Sequence, residues 1–172
     1  MDREELRRRF QSGERDFSRV DWSGANLHNL YLSGIILVGA NLTGADLVDV
    51  MFDDANLEGA CFEGANLDGA RFQNANLRRA NFDKSILIGV YFNESNLDDA
   101  TLRGADLSGA AFQETTLKRA NLSDVVIDDN SFTDTDFTEA TNLPNITDEC
   151  SVRVILPDGE VYTAPRWEGK GL

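Results

Sequence analysis

ANLTGADLVDVMFDDANLEGACFEGANLDGARFQNANLRRANF, residues 40–82, places a large apolar side chain at every fifth position, as at Leu42, Leu47, Phe52, Leu57 and Phe62. Two residues before each stands a smaller one, most often alanine, as at Ala45, Ala55, Ala65 and Ala75. Asn or Asp often lies between the pair, and Gly or a charged residue often closes the unit. Followed outward in both directions, the series runs from Phe17 to Phe137 through 25 consecutive positions without a miss. A period of five matches neither the 3.6 of an α-helix nor the 2.0 of a strand. It suits a chain that turns a corner every five residues and points both apolar positions inward. Gly24, Gly44, Gly64 and Gly104 fall at one corner slot, where backbone freedom helps.

A second period, of 20, is written over the first. If four five-residue units make one turn, residues 20 apart stack vertically. Phe52, Phe72, Phe92, Phe112 and Phe132 then form one ladder on a single face, and Phe62 and Phe82 share the opposite face with Trp22. The remaining two faces carry mostly leucine, so large and smaller core residues alternate around each turn, as a narrow interior requires. The charges repeat the message. Glu58, Arg78, Asp98 and Lys118 alternate in sign at each step, and so do Arg79, Asp99, Arg119 and Glu139. Rungs about 4.8 Å apart would make these cross-strand pairs.

Units reading ANLTGADL, ANLEGACF, ANLDGARF, ANLRRANF and GADLSGAAF resemble the pentapeptide-repeat family, whose consensus is A-[D/N]-L-x-x. The resemblance covers roughly residues 15 to 140. It implies an all-β solenoid, a right-handed quadrilateral β-helix with four pentapeptide repeats per turn and about six turns. The opening segment, the tract GERDFSRVDWSGANL and the C-terminal run are similar to cyanobacterial members of the family.

An open solenoid exposes its core at both ends, so caps are expected. Residues 1–14 read as a short capped helix. Asp2 is followed three residues on by Glu5, Leu6 and Phe10 share one face, and Gly13 closes it. Residues 15–141 are the β-helix. Residues 142–172 form a C-terminal cap and tail, in which SVRVILPDGEVYT predicts a hairpin around Pro-Asp-Gly, with Trp167 packing back on it.

Acids outnumber bases 30 to 16, a formal net charge of −14. Phosphate binding needs clustered Lys and Arg, so neither nucleic acid nor an anionic membrane is expected as a partner. No run of about 20 apolar residues is present to span a bilayer. The opening MDREELRRRFQSGERDF has no apolar stretch of the secretory kind, and two cysteines, Cys61 and Cys150, make no disulfide framework. A cytoplasmic location follows as the expectation.

Little here suggests chemistry. The single histidine, His28, has no Ser or Cys arranged with it in a nucleophilic pattern. Zinc spacing and phosphate-binding glycine loops are absent from the sequence. Asp53–Asp54, Asp98–Asp99 and Asp128–Asp129 are corner pairs without the loop pattern of a calcium site. No enzyme activity, cofactor or metal is expected.

The surface carries more information. The faces centred on Leu67 and Phe72 hold Asp46, Asp49, Asp53, Asp54, Asp68, Glu94, Asp106 and Glu114, with Arg71 the only base. The same faces hold most outward apolar residues, namely Tyr31, Val48, Met51, Ile86, Ile88 and Tyr91. Apolar residues within an acidic field are the pattern of a protein interface. Tyr31, Val48, Met51, Asp53, Asp54, Ile86, Ile88, Tyr91 and Glu94 are therefore the candidate partner surface. The expected role is a non-enzymatic interaction module or scaffold that binds another protein, as a monomer or weak dimer. The alternative is DNA mimicry, which the resemblance links to family members that bind DNA gyrase. Those members are dimeric rods, many with loops between coils, whereas the units here run without insertion.

Overall fold

The structure, a computed structural model, describes residues 2–146 and 150–163. Its body is a stack of parallel rungs. Single-residue parallel bridges join positions 20 apart without exception, from Asp16–Ile36 to Asn121–Thr141. Four five-residue units therefore make each turn, and the coil completes about six turns at a rise of about 4.8 Å. Each rung bonds in both directions. Leu57 N–H donates to Asn76 O at 2.8 Å, and Asn56 N–H donates to Ile35 O at 2.9 Å.

The corners explain the five-residue unit. Ala60 N–H donates to Leu57 O at 3.0 Å, closing a four-residue turn whose third residue, Gly59, has φ 66°. Positive φ at that place alone is the type II geometry. The same slot is left-handed at every described corner, including Arg79, Lys84, Glu94 and Glu114, where no glycine is present. At Gly69 a Cβ would sit 2.6 Å from Asp49 Oδ1, so a larger residue there would make that carboxylate turn aside.

Every member of the large apolar series is buried except Ile127, which is half-buried. The phenylalanine ladder forms as the 20-residue period predicts. Phe52, Phe72, Phe92, Phe112 and Phe132 stack in order with centroids 5.1–5.4 Å apart. Phe62 and Phe82 stack across from them at 4.8 Å, and the two stacks meet edge to face, as at Phe72–Phe82, 6.1 Å and 83°. Trp22 is buried against Phe17 at 5.9 Å rather than on the Phe62 stack.

The smaller inward slot is not purely apolar. Ser85, Ser95, Thr115, Asn130 and Thr135 are buried there. The hydroxyls of Ser95, Thr115 and Thr135, one above another, donate to the carbonyls of Phe72, Phe92 and Phe112 on the turn below. A buried hydroxyl is tolerated only with such a partner. Asn130 does more. It donates to Leu107 O at 2.6 Å and Ala110 O at 3.3 Å, and accepts from Asp128 N–H at 2.8 Å.

Helix α1, Arg3–Gln11, starts at Asp2, whose carboxylate accepts from Glu5 N–H at 2.8 Å. Leu6 is fully buried in the core cluster of the coil, and Phe10, half-buried, packs against that cluster. At the other end, strands β1 (Ser131–Asp136), β2 (Cys150–Ile155) and β3 (Val161–Thr163) make a sheet in that order. β2 lies parallel on β1, pairing Thr135 with Val154, and so occupies the next rung. β3 pairs antiparallel with β2, the hairpin that the Pro-Asp-Gly turn predicts. Ile146 and Val154 are buried in the same core. The expected contact of Trp167 lies outside the described residues.

Candidate functional site

Because residues 20 apart stack, each outward position becomes a column along the rod. One column reads Tyr31, Met51, Arg71, Tyr91 and Ala111 through consecutive parallel bridges. Tyr31 is 73% and Tyr91 50% exposed. β-structure puts these side chains outward because their neighbours in sequence, such as Val90 and Phe92, fill the core.

The corners on either side of this column carry carboxylates. On one side stand Asp49, Asp68, Asp128 and Asp129, with exposed Ile88 and half-buried Val48 among them. On the other stand Asp53, Asp54, Glu94, Glu114 and Asp134. Asp54, Glu94, Glu114 and Asp134 occupy the left-handed corner slot, with φ between 52° and 59°. The site is therefore a stripe one strand wide, aromatic and apolar along its centre and acidic along both rims. Ile86 is exposed one face further round. Of the nine residues expected at a partner surface, all face outward on these two adjacent faces, and Tyr31, Met51 and Tyr91 share one column.

Polar neighbours hold the rim in place. Asp53 pairs with Arg71 at 3.0 Å and accepts from Gln73 N–H at 3.1 Å. Asn74 donates to Asp54 at 2.7 Å, and Gln73 donates to Glu94 at 3.4 Å. Arg71, Gln73, Tyr91 and Asn93 line an open depression beside the stripe. The amides were not among the expected site residues. Their signal was available, since Gln73, Asn93 and Gln113 recur at the 20-residue spacing of the carboxylate column.

The opposite side differs in kind. Arg78 lies 3.6 Å from Asp98 and 3.5 Å from Asp99, and Arg119 grips Asp99 with two bonds of 2.6 and 2.9 Å. Those bonds hold the Asp99 carboxyl below the usual carboxylate range. The alternation is not strictly vertical. Glu58 pairs diagonally with Arg79 at 3.3 Å, and Lys118 reaches Asp136 at 3.1 Å rather than the Asp98 side chain. Asp98 instead accepts from the Lys118 backbone N–H at 3.0 Å.

His28 Nδ1 sits 3.2 Å from Asp46 Oδ2, a pair that is partly exposed. Cys61 is half-buried, with Thr43 Oγ1 at 3.3 Å and Asn81 Nδ2 at 3.8 Å from its sulfur. Asn81 is the column neighbour of Cys61 and Thr43 lies diagonally on the adjacent rung, contacts that follow from the stacking of the repeat. Among the described residues no group of three or more His, Cys, Asp or Glu could hold a metal ion. Among them, too, no helix is long and apolar enough to cross a membrane.

The profile of the pentapeptide repeats matches the chain in eight copies, over residues 16–49, 25–64, 65–104 and 105–141. No curated protein matches. Among solved structures the chain is similar to HetL, a pentapeptide repeat protein involved in heterocyst differentiation regulation from the cyanobacterium Nostoc sp. strain PCC 7120. Identity is 20% over 94% of this chain and 100% of that one, with a TM-score of 0.36. A trypsin-treated form of QnrB1, a plasmid-mediated fluoroquinolone resistance protein, is 22% identical over 72% of each chain, with a TM-score of 0.47. A pentapeptide repeat protein of the Arabidopsis thaliana thylakoid lumen is 22% identical over 81% of this chain and 86% of that one, with a TM-score of 0.30. Likeness at this level carries no argument about activity.

Proposed function

The chain belongs to the pentapeptide-repeat family, and from that premise we propose that it is a non-enzymatic docking module which binds another protein along its acid-rimmed stripe. The family's fold is the right-handed quadrilateral β-helix, and its members are typically scaffolds rather than catalysts. The observation that carries the proposal is the asymmetry of the surface. On one side the charges are interleaved and paired. On the other, carboxylates recur with two described bases, Arg71 and, on the added rung, Arg153 beside Asp134 at 2.8 Å, and flank exposed tyrosines. Like charges on stacked rungs disfavour the folded state, and exposed aromatics gain nothing from water. A bound protein would relieve both.

Charge reversal at Asp53, Asp54 and Glu94, or Tyr91→Ala, should abolish capture of a partner from the native lysate without altering the fold, read as an unchanged circular dichroism spectrum. Identical capture by every variant and the parent would sink the proposed surface. Cytoplasmic residence and a monomeric or weakly dimeric state belong to the same proposal.

DNA mimicry is the second reading, and one observation favours it. Eleven carboxylates from Asp46 to Asp134 share about 21 Å of the rod, or about one per 2 Å, close to the charge density of duplex DNA. A gyrase supercoiling assay separates the two, since a mimic inhibits or protects the enzyme at micromolar concentration and a docking module leaves it untouched.

A further inference from the structure

Resting on the docking reading, we propose that the occupant of the stripe is a cationic amphipathic helix of the partner, lying along the axis of the rod. The argument is one of pattern and length. An amphipathic helix presents one apolar seam with charged rows on both flanks. The stripe presents the complement, with Tyr31, Met51 and Tyr91 along the centre and carboxylates on both rims. An extended strand would not match as well, because its side chains alternate between opposite faces and it offers a surface only every second one.

The dimensions agree. From Tyr31 to Ala111 the column climbs four rungs, about 19 Å. A helix rising 1.5 Å per residue covers that distance in about 13 residues, between three and four turns. Its lysines and arginines have long apolar stems and reach sideways past the seam. On one flank they meet Asp49 and Asp68, and on the other Asp54, Glu94 and Glu114. Guanidinium and ammonium groups can also settle on the exposed tyrosine rings. Arg71 does not oppose this, because Asp53 at 3.0 Å already offsets its charge. An anionic membrane or nucleic acid is repelled by both rims.

The test uses the whole chain and three synthetic 14-residue peptides. One is a Leu/Lys peptide patterned as an amphipathic helix, the second is its scramble, and the third replaces Lys by Glu in the first pattern. Fluorescence anisotropy near physiological salt should show the patterned Leu/Lys peptide binding at least about tenfold tighter than the scramble, with the Leu/Glu peptide failing to bind. The double variant Glu94→Lys with Glu114→Lys should weaken it by about tenfold or more, and Tyr91→Ala by a similar factor. Glu63→Lys, on the far side of the rod, should change it less than about threefold, being beyond a Debye length from the stripe. Equal affinity for patterned and scrambled peptides, or indifference to the Glu94/Glu114 change, overturns the helix. If the peptide fails while Tyr91-dependent capture of a lysate partner persists, only the helix is lost. If both fail, the docking surface falls with it.

Discussion

The left-handed corner slot sets the local cost of this fold. Each five-residue unit needs one residue at positive φ, and fifteen of the described slots are filled by residues other than glycine. A left-handed L-residue costs about 1–2 kcal/mol, and glycine gives back part of that through chain entropy, about 0.5–1 kcal/mol. Lys84, at φ 58° and exposed, pairs with Glu63 only loosely, at 3.8 Å. Lys84→Gly should therefore stabilise the protein by about 0.5–1 kcal/mol, read as a higher urea midpoint. No change, or a lower midpoint, would show that the slot is not strained. Asn130 is the opposite case, a polar side chain that the core requires. Its three hydrogen bonds tie the irregular corner at Asp128 to the turn below. Asn130→Ala should cost about 2 kcal/mol in chemical denaturation. The sequence pattern did not reveal this residue, because an Asn in an alanine slot reads as a lapse in the repeat until its partners are seen.

At the scale of elements, the repeat is strong because every rung is supported from above and below, and weak wherever a neighbour is missing. Helix Arg3–Gln11 and the antiparallel pair of β2 and β3 form where local signals are strong: a capping Asp2, an apolar pair at Leu6 and Phe10, a Pro-Asp-Gly turn. What local signals could not show is that β2 runs parallel on β1 as one more rung, before β3 folds back. That pairing joins residues about a full turn apart and depends on tertiary register. The end caps make a direct prediction. Leu6 is fully buried at the open end of the coil, so Leu6→Ala should destabilise by about 2–4 kcal/mol in urea unfolding. A cost below about 0.5 kcal/mol would mean that the helix does not close the core. In the interior, Phe92→Asp would place a charge between two stacked rings and should leave the protein unfolded or aggregated.

The whole molecule has two unlike sides, and acid should weaken it through specific carboxylates. Asp16 is held below the usual range chiefly by the Ser18 hydroxyl, Asp21 by the Ser23 backbone N–H, and Asp99 by Arg119. Each binds its proton more weakly when folded than when unfolded. The stability they contribute is fully present above the unfolded value, about 3.9, and is lost as pH falls through their lower folded values. The melting temperature should stay level from pH 8 to about 5 and fall below about pH 4. The twofold periodicity, five and then twenty, made four repeats per turn and the sidedness of charge readable from residues alone. The exact pairings were not, because long side chains such as Lys118 choose among several carboxylates within reach. The account rests on the stripe being the bound face. A photo-crosslinking amino acid at position 91, compared with one at position 103 on the opposite side, tests that most directly in the native lysate. Position 91 should yield a discrete crosslinked partner and position 103 none, whereas equal adducts from both positions, or adducts from 103 alone, would contradict it.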